Sequence, residues 1–145
     1  VEHFHAVVPE GFMAQLESRE NQIAAVELLG ALTALSMWSA DIAERPVHVW
    51  IDNDNASSIL INGLSSAADL TDLAARCWSD LAAVAARPWF GRVNTGLNPA
   101  DGPSRRDFRL MRELNSRRVN VCWPSWLMNF RLLPRDGLHF CVVFM

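Results

Sequence analysis

The chain has 145 residues, half of them hydrophobic, which is the length of one domain and enough apolar material to bury a core. Its formal charge of −3 argues against a strongly basic, non-specific nucleic-acid binder. No apolar stretch approaches the roughly 20 residues that a bilayer span needs, so no membrane partner is expected.

Residues 2–8 read as a strand, on one face of which His3 and His5 sit together. Such a pair can bind metal, but two side chains at a solvated strand edge is the simpler reading. A polar loop to about residue 20 precedes a long helix that runs to about Ala43. Between Asn21 and Ala40 the only charge is Glu27. Helical spacing groups it with Ile23, Ala24, Ala31, Ala34 and Trp38, a face expected to point inward. A lone carboxylate there costs several kcal/mol or takes up a proton, and a divalent cation removes that cost.

Pro46 closes this helix, and Val47–Ile51, β-branched and aromatic, is expected to form a strand that ends in Asp52. A short helix over about 55–62 is capped by Gly63. Ser65 or Ser66 then caps a longer helix with an apolar stripe of Leu70, Leu73, Cys77, Leu81 and Val84. Pro88 ends it, and a strand over 89–94 follows. Next comes Asn98-Pro99-Ala100-Asp101-Gly102-Pro103-Ser104-Arg105, which sets Asp101 just past a strand end and at a helix start, where exposed N–H groups favour an ionised carboxylate.

All thirteen basic residues are arginines, and six of them fall between Arg105 and Arg118 against only Asp107 and Glu113. That helical pattern suits phosphate contacts and a solvated helix face equally well. Trp89 and Trp123 are candidates to stack on bases. After Arg118 the pattern dissolves. Residues 119–145, with Pro124, Pro134 and the apolar run Leu138–Met145, are expected to be an extension of uncertain fold beyond a domain of residues 1–118. Cys77, Cys122 and Cys141 form neither a CxxC zinc pattern nor a disulfide framework, and no signal-peptide pattern opens the chain, which points to a reduced, intracellular setting.

A helix with a lone acid in QIAAVELLGALTAL, a strand ending in VWIDNDNASSILINGLSS and the closing NPADGPSR occur in that order. Together they resemble the ribonuclease H domain of a retroelement reverse transcriptase of the DIRS or gypsy type, over about residues 1–105. The resemblance implies an α/β fold: a ribonuclease-H-like mixed sheet of five strands with helices on both faces. It further implies four acids that bind two Mg²⁺ ions (Mn²⁺ can substitute) and hydrolyse the RNA strand of an RNA–DNA hybrid.

Carried over by motif, Glu27, Asp52 and Asp101 are the catalytic and metal-holding acids, with Asp54 competing for the role of Asp52. Asn98, Ser104, Arg105 and Arg106 are the candidate nucleic-acid contacts. Residues 2–8 then correspond to the family's third strand, so its first two strands and first aspartate are missing from the chain as given. Glu2 and Glu10 sit in the wrong context to replace that aspartate. The expectation is a nuclease module of a reverse transcriptase polyprotein, next to an upstream polymerase domain and inactive alone. The alternative is a non-catalytic scaffold or tether of the same fold. If so, residues 47–51 and 89–94 pair in parallel through a helical crossover, and residues 2–8 cannot lie directly beside 47–51.

Overall fold

The computed structural model describes residues 1–124 and 139–145. The chain runs β1 (Glu2–Val7), α1 (Glu10–Met13), α2 (Ile23–Met37), α3 (Ser39–Ile42), β2 (Pro46–Ile51), α4 (Asp54–Asn62), α5 (Ala68–Ala83), β3 (Arg87–Arg92), α6 (Asp101–Ser104), α7 (Arg109–Glu113), β4 (Arg117–Arg118) and β5 (His139–Phe144). It is a mixed α/β arrangement with two small sheets among the described residues, β4-β1-β5 and β2-β3. None of the described helices is long and apolar enough to cross a membrane.

β2 and β3 pair in parallel from Pro46↔Arg87 to Ile51↔Arg92, as the helical crossover between them requires. Residues 2–7 do not pair with β2, so the expected break between these strands is present. β3 starts two residues earlier than the sequence suggests and contains Pro88. Among the described residues β2 is its only neighbour, so the missing N–H of the proline breaks no ladder there.

β1 is not an edge strand. It has β5 antiparallel on one side, from Glu2↔Phe144 to Val7↔His139, and β4 parallel on the other. His3 is accordingly buried, against the expectation of a solvated edge. Phe4, on the opposite face, packs on Trp38, which stacks on Phe144 at 4.7 Å. The His3 and His5 face packs on Phe108, just ahead of α7.

Residues 139–144 thus form a strand of the same sheet as β1 and β4. Val119, Val121 and Trp123 also lie against the main core. Hydrogen bonds along all of β1 outweigh the lack of any family pattern in this segment. Pro134 and Leu138 lie outside the described residues.

Helix α2 is buried almost all round, at Ala24, Ala25, Val26, Leu28, Leu29, Gly30, Leu32, Thr33 and Leu35. It breaks at Trp38, and Glu44 (φ 60°) ends the following turn, its N–H bonded to the Val84 carbonyl at 2.9 Å. α4 is capped by the Asn53 side chain, which accepts from Ala56 N at 2.9 Å, and it ends at Gly63 in the left-handed region (φ 71°). α5 buries Leu70, Leu73, Cys77 and Leu81, the stripe read from sequence, with Val84 half-buried.

Neither Ser65 nor Ser66 is the cap of α5. Ala67 holds that position, and Glu17 reaches across to accept from Ala68 N at 3.1 Å. Arg19 and Asp69 fasten the same corner at 2.5 Å. The expected helical stretch after Arg105 is one short helix, α7, and a two-residue strand, because Arg106 (φ 66°) and Asn115 (φ 47°) both take the left-handed conformation that stops a helix.

Candidate functional site

Asp52 follows the last residue of β2, whose Ile51 is buried and fixes where the strand stops. The next residue, Asn53, caps α4, so the chain turns at once and leaves the Asp52 side chain half-buried at the carboxyl end of the parallel pair. Sites in parallel sheets collect at this end. Asp54 goes elsewhere. It is exposed and ion-paired with Arg92.

Asp101 is held by its own motif. The Asn98 side chain accepts from Ala100 N at 3.0 Å, and Asn98 O accepts from Asp101 N at 3.1 Å, which turns the chain into α6. Ser104 Oγ donates back to the Asp101 carbonyl at 2.7 Å. Gly102 is needed because a Cβ there would lie 2.9 Å from the Asp107 carbonyl oxygen. Pro103 is buried. Arg105 pairs with the Asp101 carboxylate at 3.0 Å, one helical turn on.

Glu27 lies a turn into α2. The face it shares with Ile23, Ala24, Ala31, Ala34 and Trp38 is graded: Ala24 and Trp38 are buried, Ala31 and Ala34 are half-buried against the core, and Ile23 is 49% exposed. Because apolar residues surround this helix, the sequence pattern contains no stripe from which its orientation can be read. Glu27 is half-buried at the rim, and its pKa is pushed up to about 7. Burial is the largest cause, followed by the negative charges of Asp52 and then Asp101.

Three carboxylates from three separate parts of the chain thus share one electrostatic neighbourhood. They are an oxygen-only donor set of the kind that suits a hard divalent cation such as Mg²⁺. As the side chains stand, no three acidic, imidazole or thiol groups among the described residues converge closely enough to hold a metal ion. A cation therefore needs side-chain adjustment, including release of Asp101 from Arg105.

Compared with known proteins, the chain matches no family model, no curated protein and no solved structure.

The four residues read as nucleic-acid contacts fall out differently. Asn98 and Ser104 spend hydrogen bonds on the local turn, and Arg105 is committed to Asp101. Arg106 is exposed at the left-handed turn after α6. One feature escaped the sequence reading: His48, Trp50 and Trp89 form an exposed aromatic patch on the face of the β2-β3 pair away from α4. Its ring centroids lie 5.3 to 6.5 Å apart. Strict alternation along residues 46–50 is the signal that could have found it.

Proposed function

We propose that this chain is a ribonuclease-H-like nuclease module, of the kind carried by retroelement reverse transcriptases, acting on the RNA strand of an RNA–DNA hybrid. The observation that carries this reading is the elevated Glu27 pKa. Its charge-based causes are the two acids, Asp52 and Asp101, that the motif resemblance selects independently. The parallel β2-β3 pair with its helical crossover, and the placement of Asp52 at its carboxyl end, also support it.

In this reading Glu27, Asp52 and Asp101 hold Mg²⁺. When bound, the metal supplies an activated water and charge neutralisation at a phosphodiester. Glu27 keeps or releases a proton near neutral pH, and its ionised form completes the donor set. Arg105 balances Asp101 until the site fills. The turn of residues 98–104 keeps the Asp101 carboxylate at the rim, and the aliphatic wall of α2 limits water access behind Glu27.

A second reading, the non-catalytic scaffold, is favoured by the Arg105–Asp101 ion pair and by the absence of a ready-made cage among the described residues. The deciding experiment uses a hybrid labelled on each strand, with Mg²⁺ or Mn²⁺. It compares residues 1–145 with the same residues preceded by a strand that supplies a fourth aspartate. The nuclease reading expects the RNA strand to be cut by the extended form, and Asp101→Asn to abolish the cutting. Hybrid binding without cleavage in both forms supports the scaffold. Failure of either form to bind hybrid or metal overturns both readings.

A further inference from the structure

The residues around α7 form a second polar constellation that involves none of the three acids. A cavity of about 370 Å³ is lined by His3, Phe108, Arg112, Asn115, Ser116 and Arg118, with buried Met111 beneath. Among the described residues no acidic side chain lines it. Among the described residues, Arg19, Arg92, Arg105, Arg109 and Arg117 each pair with a carboxylate, whereas Arg112 and Arg118 form no such ion pair. Two guanidinium groups without a close ion pair among the described residues therefore line one concavity, Arg112 also lying within electrostatic reach of Asp107.

The backbone prepares this wall. α7 ends with Ser116 N bonded to Met111 O at 2.9 Å and Asn115 N bonded to Arg112 O at 3.0 Å. This double bond occupies two of the terminal carbonyls that would otherwise repel an anion. The same turn carries Ser116 to His3, whose Nδ1 lies 2.9 Å from the serine Oγ. Val119 N then bonds to His3 O at 2.8 Å and sets Arg118 beside the strand. The Arg118 guanidinium lies over the Phe108 ring, its Cζ 6.0 Å from the centroid, an arrangement that orients the fork without consuming its donors. Burial, reinforced by the Arg118 charge, lowers the His3 pKa and favours a neutral imidazole.

We infer that this cavity is a binding site for a phosphate group, held between Arg112 and Arg118 with donors from Ser116 and Asn115 at its wall. Planar, always-charged forks suit the tetrahedral oxyanion, and two guanidinium charges side by side repel a metal cation. The phosphate comes either from a free mononucleotide or from the backbone of a nucleic-acid strand. The inference does not depend on the three acids.

The test is titration of residues 1–145 with inorganic phosphate, adenosine monophosphate and a six-nucleotide single strand at low salt. Binding is read by calorimetry and by amide NMR shifts. Phosphate-bearing ligands should bind with shifts at Ser116 and Arg118, and added salt should weaken them. Arg112→Gln and Arg118→Gln should each reduce affinity tenfold or more, and Arg118→Lys should reduce it less. Arg109→Gln, whose guanidinium is committed to Asp107, should leave it unchanged. Unaltered far-UV circular dichroism checks that each variant folds. Equal affinity for the mononucleotide and the strand identifies a free phosphate ester. Tighter, more salt-sensitive binding of the strand identifies a backbone phosphate. Absence of shifts at Ser116 and Arg118, or full affinity in both glutamine variants, overturns the inference.

Discussion

Replacing Glu27 by Gln removes a charge while keeping the size and hydrogen-bonding outline of the side chain, and the consequences depend on pH in a defined direction. With a folded-state pKa of about 7 against the usual 4.5, Glu27 holds its proton more tightly in the folded chain. Below about pH 4.5 both states are protonated and the group costs nothing. Between 4.5 and 7 the unfolded chain ionises first, so stability falls as pH rises, and above 7 the penalty is complete.

At about 1.4 kcal/mol per pH unit the full penalty is about 3 kcal/mol, which water at the half-buried rim reduces to between about 1 and 3. Glu27→Gln should therefore match the native chain near pH 4.5 and exceed its stability at pH 8 by that amount. The assay is urea unfolding followed by tryptophan fluorescence, with EDTA present. The midpoint at pH 8 should rise by about 0.5 to 3 M, given slopes near 1–2 kcal/mol/M for small domains. Saturating Mg²⁺ should then stabilise the native chain at pH 8 but not the variant. A stability difference that does not change with pH, or a variant less stable at pH 8, refutes the electrostatic account.

Other perturbations test the surroundings. Asp52→Asn and Asp101→Asn should each lower the Glu27 pKa, with the larger drop for Asp52, as followed by carboxyl carbon NMR; an unmoved titration separates the acids. Ala85 (φ 51°) occupies the position after α5 that favours glycine, with Ala86 N bonded to Leu81 O at 3.0 Å, so Ala85→Gly should raise stability by about 1 kcal/mol in thermal unfolding. Gly91 lies beneath the Trp50 and Trp89 rings, and a Cβ there would sit 2.8 Å from the Trp50 ring. Both indoles are half-exposed and can swing aside, so Gly91→Ala should cost only about 1 kcal/mol while erasing their near-ultraviolet circular dichroism. An unchanged spectrum would mean the two rings are not packed as described.

The residues most legible in sequence were those whose local chemistry decides the outcome. Val47–Ile51 is rich in the branched and aromatic side chains that favour a strand, and Gly63 fixes the end of α4 by its left-handed conformation. The stripe of α5 needed only one helical period. The candidate acids were legible as motif positions, and Asp52 was preferred to Asp54 because it abuts the strand; the pairing of Asp54 with Arg92, 38 positions further along the sequence, was not legible. How deeply Glu27 sits was not legible, because a helix apolar on every side does not reveal its orientation; it is half-buried, between buried Ala24 and exposed Ile23. The left-handed turns at Arg106 and Asn115 were hidden because neither residue is a glycine. The place of β5 was hidden for a different reason: its partner is β1, at the other end of the chain, and no local pattern reveals such a pairing.

That last pairing also divides the order of assembly. The β2-α4-α5-β3 unit closes within about fifty residues and can form early, since short loops lose little entropy on closure. The β1-β5 ladder instead joins residues 2–7 to residues 139–144, so its hydrogen bonds must wait for nearly the whole chain to be collapsed. Until then the apolar strand around Phe4 has no antiparallel neighbour. Amide protection should therefore arise first in the β2-β3 ladder and last in β1, and a chain ending before His139 should refold to a state in which the Phe4 amide exchanges with solvent.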